Sequence, residues 1–227
     1  MLYIDQLATY LITGSNRGIG LEYCKQLSQR GEKVIAVCRK SSHELDNLNL
    51  RIEKNIDLID NKSIDLLSYN LKKTKIDVLI NNAGIIESDD FNNLDPKKLL
   101  DQFKVNALSP LYLTKKLIPN LQINSKVILM TSRMGSIEDN KSGSYYGYRM
   151  SKAALCMAGK SLSIDLYHYG ICVALLHPGL VSTRMTNFTE KGISTQESVK
   201  GLLKRINDLS IKNSGHFWHA NGEILPW

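Results

Sequence analysis

The chain has 227 residues, 43% of them hydrophobic, a formal net charge of +7 and four cysteines. That is enough for one well-filled core and little for a second domain, and no stretch approaches the ~20 apolar residues of a membrane span. The positive charge is scattered, not gathered in a block, so neither nucleic acid nor a membrane is expected as a partner.

Cys24, Cys38, Cys156 and Cys172 lack metal-type spacing, and each falls in an apolar element. They read as reduced core thiols in a cytoplasmic protein. The residues before Thr13 are needed as a first strand, which leaves no room for a cleaved leader. The glycosylation sequon Asn187-Phe188-Thr189 is then a chance match.

Leu7 to Thr13 reads as that strand, and an amphipathic helix follows the loop Thr13-Gly14-Ser15-Asn16-Arg17-Gly18-Ile19-Gly20 as far as Arg30. Strand, glycine loop and helix together let backbone amides and a helix N-terminus hold a pyrophosphate. Gly14 supports the tight turn, Gly18 the close approach of phosphates, and Gly20 the packing of helix on strand. A glycine loop can be only a turn; its position here favours a nucleotide. Lys33 to Cys38 is the second strand, with Arg39 and Lys40 and no acid at its carboxyl end. A carboxylate there would bind ribose hydroxyls, whereas an arginine welcomes a 2′-phosphate. Arg39, with Arg17, therefore points to NADP(H), against the plainer reading of two surface cations.

Arg51 to Asp57 reads as the third strand, with Asp57 set to accept from the adenine amino group. Asn61 to Lys73 is helical, and Ile76 to Ile80 is a buried strand by its near-continuous apolar run. It leads into Asn81-Asn82-Ala83-Gly84, which faces a ligand crevice or is simply a turn. Asp95 as N-cap and Pro96 at the first position start a helix that carries Asn106 and runs to Ile118. Lys126 to Thr131 is the next strand, followed by Ser132, whose plain reading is a turn former. A long helix spans about Tyr145 to Tyr169, closed by Gly170.

On that helix Tyr148 and Lys152 lie four residues apart, on one face. A neighbouring cation favours the phenolate, which suits a tyrosine to general acid chemistry. Tyr145 and Tyr146 are close by, but the spacing to Lys152 selects Tyr148. Ile171 to Leu176 is a buried strand leading to His177-Pro178-Gly179, Gln196 to Leu209 is helical, and His216 to His219 reads as an edge strand. The histidines have no ligand spacing, so no metal is expected. Alternating strands and helices predict one α/β domain: a Rossmann-type doubly wound parallel sheet of about seven strands in three αβα layers.

Thr13-Gly-x-x-x-Gly-x-Gly20, Asn81-Asn-Ala-Gly84, Asn106, Ser132, Tyr148-x-x-x-Lys152 and Pro178-Gly179, in that order, resemble the short-chain dehydrogenase/reductase family along nearly the whole chain. More narrowly, Ser132 to Ile137, Tyr148 to Leu155 and the ending Leu225-Pro226-Trp227 resemble the C-factor and Sniffer-type carbonyl reductases.

The resemblance implies an NADPH-dependent carbonyl reductase with Asn106, Ser132, Tyr148 and Lys152 as catalytic residues. Tyr148 would donate the proton and Ser132 would hydrogen-bond the carbonyl oxygen. Lys152 would lower the tyrosine pKa and bind the nicotinamide ribose, and Asn106 would hold a relay water. Cofactor contacts would come from Gly14, Asn16, Arg17, Gly18, Ile19 and Gly20, from Arg39 and Asp57, and from Asn82, Ala83 and Gly84. Tyr148, Lys152, Pro178, Gly179, Val181 and Thr183 complete that set, Thr183 at the carboxamide.

Only about fifteen residues separate Gly179 from the next helix, so the lid over the nicotinamide is short. Met134, Ile137, Met185 and Phe188 would give the pocket apolar walls, with Arg184 at the rim, suiting a mostly apolar carbonyl substrate; Met185 and Phe188 could instead anchor the loop to the core. The small residues Ala153, Ala154, Ala158 and Gly159 either pack the long helix on its own sheet or admit a second helix. The resemblance implies a homodimer through this helix and the one carrying Asn106. The other open reading is a dinucleotide-binding signalling or sensor protein that acts through a partner. Such a protein would have no need of Tyr148.

Overall fold

The computed structural model describes residues 7–227. Seven strands form one parallel sheet: β1 (Thr9–Thr13), β2 (Lys33–Val37), β3 (Arg51–Glu53), β4 (Val78–Asn81), β5 (Lys126–Met130), β6 (Cys172–His177) and β7 (Phe217–His219). Their spatial order is β3-β2-β1-β4-β5-β6-β7. The chain winds outward from β1 to β3, then returns to the other side of β1 and winds through β4 to β7. The strand order thus reverses between β1 and β4, and a crevice opens at the carboxyl ends of those two strands.

Alternate residues of each strand enter two separate cores, because successive side chains leave a strand on opposite faces. Tyr10, Ile12, Val34, Ala36, Ile128 and Met130 meet helices α1 (Gly18–Gln29) and α7 (Thr195–Asp208) on one face. Leu11, Ile35, Val37, Leu79, Val127 and Leu129 face α3 (Asn61–Leu71), α5 (Ser109–Leu117) and α6 (Tyr146–Asp165) on the other. Two shorter helices, α2 (His43–Asp46) and α4 (Pro96–Phe103), complete the set. The three-layer, doubly wound architecture matches the expectation from the alternating elements. All four cysteines are free and buried. Among the described residues no helix is long and apolar enough to cross a membrane, and no group of three or more His, Cys, Asp or Glu side chains is disposed to hold a metal.

Several ends follow local chemistry. Asp95 accepts from the Lys97 amide at 2.9 Å ahead of Pro96, and Gly170 takes the left-handed conformation (φ 66°) after α6 and its terminal 3-10 turn. Asn120 donates to the Leu71 and Thr74 carbonyls, both at 2.7 Å, and joins the Thr74 amide in closing the end of α3.

Two expectations need correction. The third strand stops at Glu53, and Asp57 lies beyond it in a turn where its carboxylate accepts from the Ile59 amide at 3.1 Å. The helix through Asn106 is broken into α4, a π-turn at Lys104–Leu108, and α5. Pro110 is the cause: it has no N–H for the carbonyl four residues back, which is that of Asn106. The Ser109 amide reaches instead to Lys104, five residues back. Of the two readings of the small residues on α6, packing on the chain's own sheet holds at Gly159. A Cβ there would lie 2.7 Å from the Leu129 side chain and 2.8 Å from that of Leu175, so its hydrogen lets α6 lie close on the sheet.

His177, at the end of β6, is largely buried, its ring edge-on to that of His219 at 5.0 Å and its Nδ1 without a partner. Burial first, then the nearby His219, Arg133 and Lys152, press its pKa down to about 3. A depressed histidine stabilises the fold fully above its unfolded value of 6.5, and that stabilisation is lost as pH falls toward about 3. Wild type should therefore lose stability faster than His177→Gln on acidification, by up to about 1.4 kcal/mol per pH unit across this window. Urea unfolding from pH 7 to pH 4 checks this, and parallel curves for the two proteins would refute it.

Candidate active site

The loop after β1 and the turn after β4 are tied together at the crevice. The Thr13 hydroxyl accepts from the Asn82 and Ala83 amides, each at 3.0 Å, while Asn82 Nδ2 donates to the Thr13 carbonyl at 2.9 Å. Gly14 and Gly18 both take left-handed φ angles, 68° and 56°. A Cβ on Gly20 would fall 2.2 Å from the Gly14 carbonyl oxygen, and one on Gly14 would fall 2.9 Å from Ala83 Cα. Only glycine permits this approach. The result is a cradle of bare backbone at the N-terminus of α1, which suits a pyrophosphate.

Of the remaining expected cofactor residues, contacts tie Thr183 and Asn16 to this cradle. A Cβ on Gly18 would come within 3.7 Å of Thr183 Cγ2, so the loop after β6 lies across from the glycine loop. Asn16 donates to the Lys40 carbonyl at 2.9 Å and brings the end of β2 alongside. Arg17 and Arg39 are exposed, and among the described residues neither has an ion-pair partner. Ile19 and Gly179 are part-buried, Val181 is buried and bridges Ile193, and Pro178 accepts from the Ser198 hydroxyl at 2.7 Å.

Beside the crevice, Ser132 follows β5 and Tyr148 stands in the first turn of α6. They come from separate elements and are 8% exposed each. The Ser132 hydroxyl faces the phenol and favours its ionised form. Lys152, one turn on, is 4% exposed and sends its ammonium to the Met130 carbonyl at 2.8 Å. A Cβ on Gly135 would lie 2.8 Å from the Lys152 carbonyl carbon, so the turn after Ser132 is pressed against α6.

The expected electrostatics of the pair are not what the structure holds. Burial pushes the Tyr148 phenol up to about 12, against the pull of Ser132, and burial also lowers Lys152 to about 8. Lys152 lies 5.6 Å from the centre of the tyrosine ring, and its head points past it to the end of β5. Four-residue spacing brings the two side chains onto one face, but removal from water outweighs their mutual effect. At neutral pH the phenol keeps its proton.

Asn106, in the π-turn, is fully buried and committed. Its Oδ1 accepts from the Ile85 amide at 2.8 Å, and its Nδ2 donates to the Ile85 carbonyl at 2.8 Å and to Ser151 Oγ at 3.0 Å. Ser151 in turn donates to the Tyr148 carbonyl at 2.7 Å. Asn106 and Lys152 flank Gly84: a Cβ there would sit 3.2 Å from Asn106 Oδ1 and 3.6 Å from Lys152 Nζ. The four expected catalytic residues are thus joined through the turn after β4, β5 and the start of α6.

The expected substrate walls form a looser set. Met134 is part-buried in the turn after Ser132, whereas Ile137 is 81% and Phe188 67% exposed. The anchoring role for Met185 and Phe188 does not fit that exposure. Their loop is held instead at its base, where Ser182 donates to the Ile193 carbonyl at 2.9 Å and Ile193 to that of Leu180 at 2.8 Å. Two surface clefts, near 350 and 530 Å³, involve none of these residues.

Sequence reasoning missed Thr13, Ser151 and Asp89. Asp89, 9% exposed, accepts from the Tyr146 and Gly147 amides through its carboxylate and from the Tyr145 amide through its carbonyl. A signal for it was present: Tyr145, immediately before α6, cannot cap a helix, so the amides had to find an acceptor elsewhere.

Residues 8–193 match the family model described as short chain dehydrogenase. The chain is 35% identical, over 97% of its length and 100% of the relative's, to 1-hydroxy-2-glutathionyl-2-methyl-3-butene dehydrogenase of Rhodococcus sp. (strain AD45). It is 41% identical to C-signal of Myxococcus xanthus over 67% of this chain and 93% of that one. The NADPH-bound carbonyl reductase from chicken fatty liver superposes with a TM-score of 0.89 at 30% identity, covering 98% of this chain and 100% of that one. Agreement of this extent, in sequence and in fold alike, makes the chain a member of the short-chain dehydrogenase family of oxidoreductases, which bind a nicotinamide dinucleotide.

Proposed function

We propose that the protein is an NADP(H)-dependent reductase of carbonyl compounds. The observation that carries the reading is the meeting of the Ser132 hydroxyl and the buried Tyr148 phenol beside Lys152, next to a backbone cradle. The glycine loop with Asn82, Ala83 and Gly84 would hold the dinucleotide, Asp57 its adenine and Thr183 its carboxamide. When bound, the dinucleotide supplies hydride to the carbonyl carbon.

Tyr148 Oη gives its proton to the carbonyl oxygen, and a phenol pushed up to about 12 is stocked for donation at neutral pH. Ser132 donates a hydrogen bond to the same oxygen as negative charge develops on it. Lys152, lowered to about 8, holds a cation that can lose its proton near physiological pH and so pass one toward the phenol. With the Asn106 amide committed to Ile85 and Ser151, its main-chain carbonyl is the group left to hold a relay water. Tyr145 and Tyr146 are half-exposed at the helix start and fit the acid less well.

The signalling alternative draws on the likeness to C-signal of Myxococcus xanthus, and one substitution separates the two readings. Tyr148→Phe should still bind NADPH while reduction of aldehydes, ketones or quinones falls by about a hundredfold or more. Retained turnover would move the acid elsewhere.

The carbonyl reductase from chicken fatty liver binds NADPH, and Arg17 and Arg39 support the same cofactor here. A charge-assisted bond to a 2′-phosphate contributes about 1.5–3 kcal/mol, so each arginine accounts for roughly a tenfold to hundredfold preference over NADH. Arg39→Asp should erase or reverse that preference in kcat/KM. Equal specificity constants in the unaltered protein would overturn it.

A homodimer is the assembly we expect. Met150, Met157 and Ile164 form an exposed apolar stripe on α6, and Leu100, Phe103, Leu108 and Leu111 are exposed along α4, the π-turn and α5. Light scattering at micromolar concentration should give twice the 25.5 kDa chain mass; the mass of a single chain would rule the dimer out.

A further inference from the structure

The start of α6 is held in a conformation the chain would not adopt unaided. Gly143, Ser144 and Tyr145 all have positive φ, at 63°, 54° and 52°. For the glycine this is easy. For a serine and a tyrosine in succession it is a strained state that persists only where surrounding contacts impose it. Tyr148 stands three residues beyond Tyr145, so relaxation of this stretch would swing the first helical turn and displace the phenol.

Two residues supply the restraint, from opposite sides. Asp89, in the segment after β4, accepts from three consecutive amides, those of Tyr145, Tyr146 and Gly147. Arg149, the neighbour of Tyr148, turns its guanidinium back onto the strained stretch. Its Nε donates to the Gly143 carbonyl at 3.2 Å and the Ser144 carbonyl at 3.1 Å, and its Nη2 donates to Ser142 Oγ at 2.9 Å. Its Nη1 lies 3.5 Å from the Met134 carbonyl, in the turn that Ser132 opens. The Asp89 carboxylate takes the Tyr146 and Gly147 amides, its main-chain carbonyl takes that of Tyr145, the guanidinium takes the Gly143 and Ser144 carbonyls, and the strained residues are gripped between them.

We propose, resting on the reductase reading, that Asp89 and Arg149 are positioning residues that clamp residues 143–145 and thereby set Tyr148 against Ser132. The clamp makes a specific demand on the variants. If Asp89 acts by imposing left-handed backbone, a glycine at position 145, which adopts that backbone without strain, should offset its loss.

In Asp89→Ala, kcat should fall by about tenfold to a hundredfold, the scale of a misplacement near 1 Å, with NADPH affinity and the far-UV spectrum unchanged. Asp89→Asn, which keeps an acceptor oxygen, should lie between. Tyr145→Gly alone should keep its activity, and Asp89→Ala/Tyr145→Gly should recover most of the lost kcat. Arg149→Lys, lacking the planar fork, should resemble Asp89→Ala. Amide hydrogen exchange across residues 145–149 gives a readout independent of turnover: faster in Asp89→Ala, slowed again in the double variant. Exchange in Asp89→Ala at the wild-type rate, or a loss of kcat that glycine at 145 does not restore, would overturn the clamp. Altered exchange in a protein that reduces no carbonyl compound would overturn the reductase reading and leave the clamp standing.

Discussion

The site depends on how closely α6 lies on the sheet. That helix carries both Tyr148 and Lys152, and it meets β5 and β6 at Gly159, where any Cβ would collide with Leu129 and Leu175. The same closeness recurs at Gly135, which leaves the turn after Ser132 no space for a side chain against Lys152. Two glycines, one on the helix and one on the loop it faces, thus bring Ser132 and Tyr148 to one place. They also let the lysine stem reach the last carbonyl of β5, at Met130. A helix lifted from the sheet by one methyl group would keep its sequence motif and lose its geometry.

Close packing has an electrostatic counterpart. Tyr148 and Lys152 are removed from water together, and each is driven toward its neutral form. The phenol holds its proton more tightly and the ammonium holds its own less tightly, so the two affinities move in opposite directions. In water the gap between a tyrosine and a lysine is small and both lie far above neutrality. In the fold the lysine crosses to the tyrosine's acidic side. On the proposed reading, a proton given up by the phenol would have a neighbour of lower affinity to replace it.

Much of this could be read from the residues. The alternation of apolar runs with amphipathic stretches specified a doubly wound sheet, since strands buried on both faces must be apolar throughout. The glycine spacing and the Tyr148–Lys152 interval marked the crevice and its edge. What escaped was whatever depends on partners distant in sequence. Thr13 looks like the end of a strand until the turn after β4 comes to rest on its hydroxyl. Asp89 is one acid among several in a loop until the amide of Tyr145 and the first two of α6 converge on it. The depressed lysine and raised phenol follow from burial, which spacing alone does not report. One miss was avoidable: Pro110 stands four residues after Asn106 and forbids an ordinary helical bond at that carbonyl.

That proline-driven π-turn has a consequence for how the chain can vary. It holds one residue more than a regular helix would need over the same rise, and the surplus turns Asn106 toward Ile85 and Ser151. Deleting Val105 would take the surplus residue out ahead of Asn106 and rotate its side chain by about 100°, one helical step, while Pro110 would still leave one carbonyl without its helical donor. Replacing an exposed residue there, such as Lys104 or Leu108, disturbs nothing comparable. The length of this segment therefore fixes the direction of Asn106 more firmly than the identity of its exposed residues does.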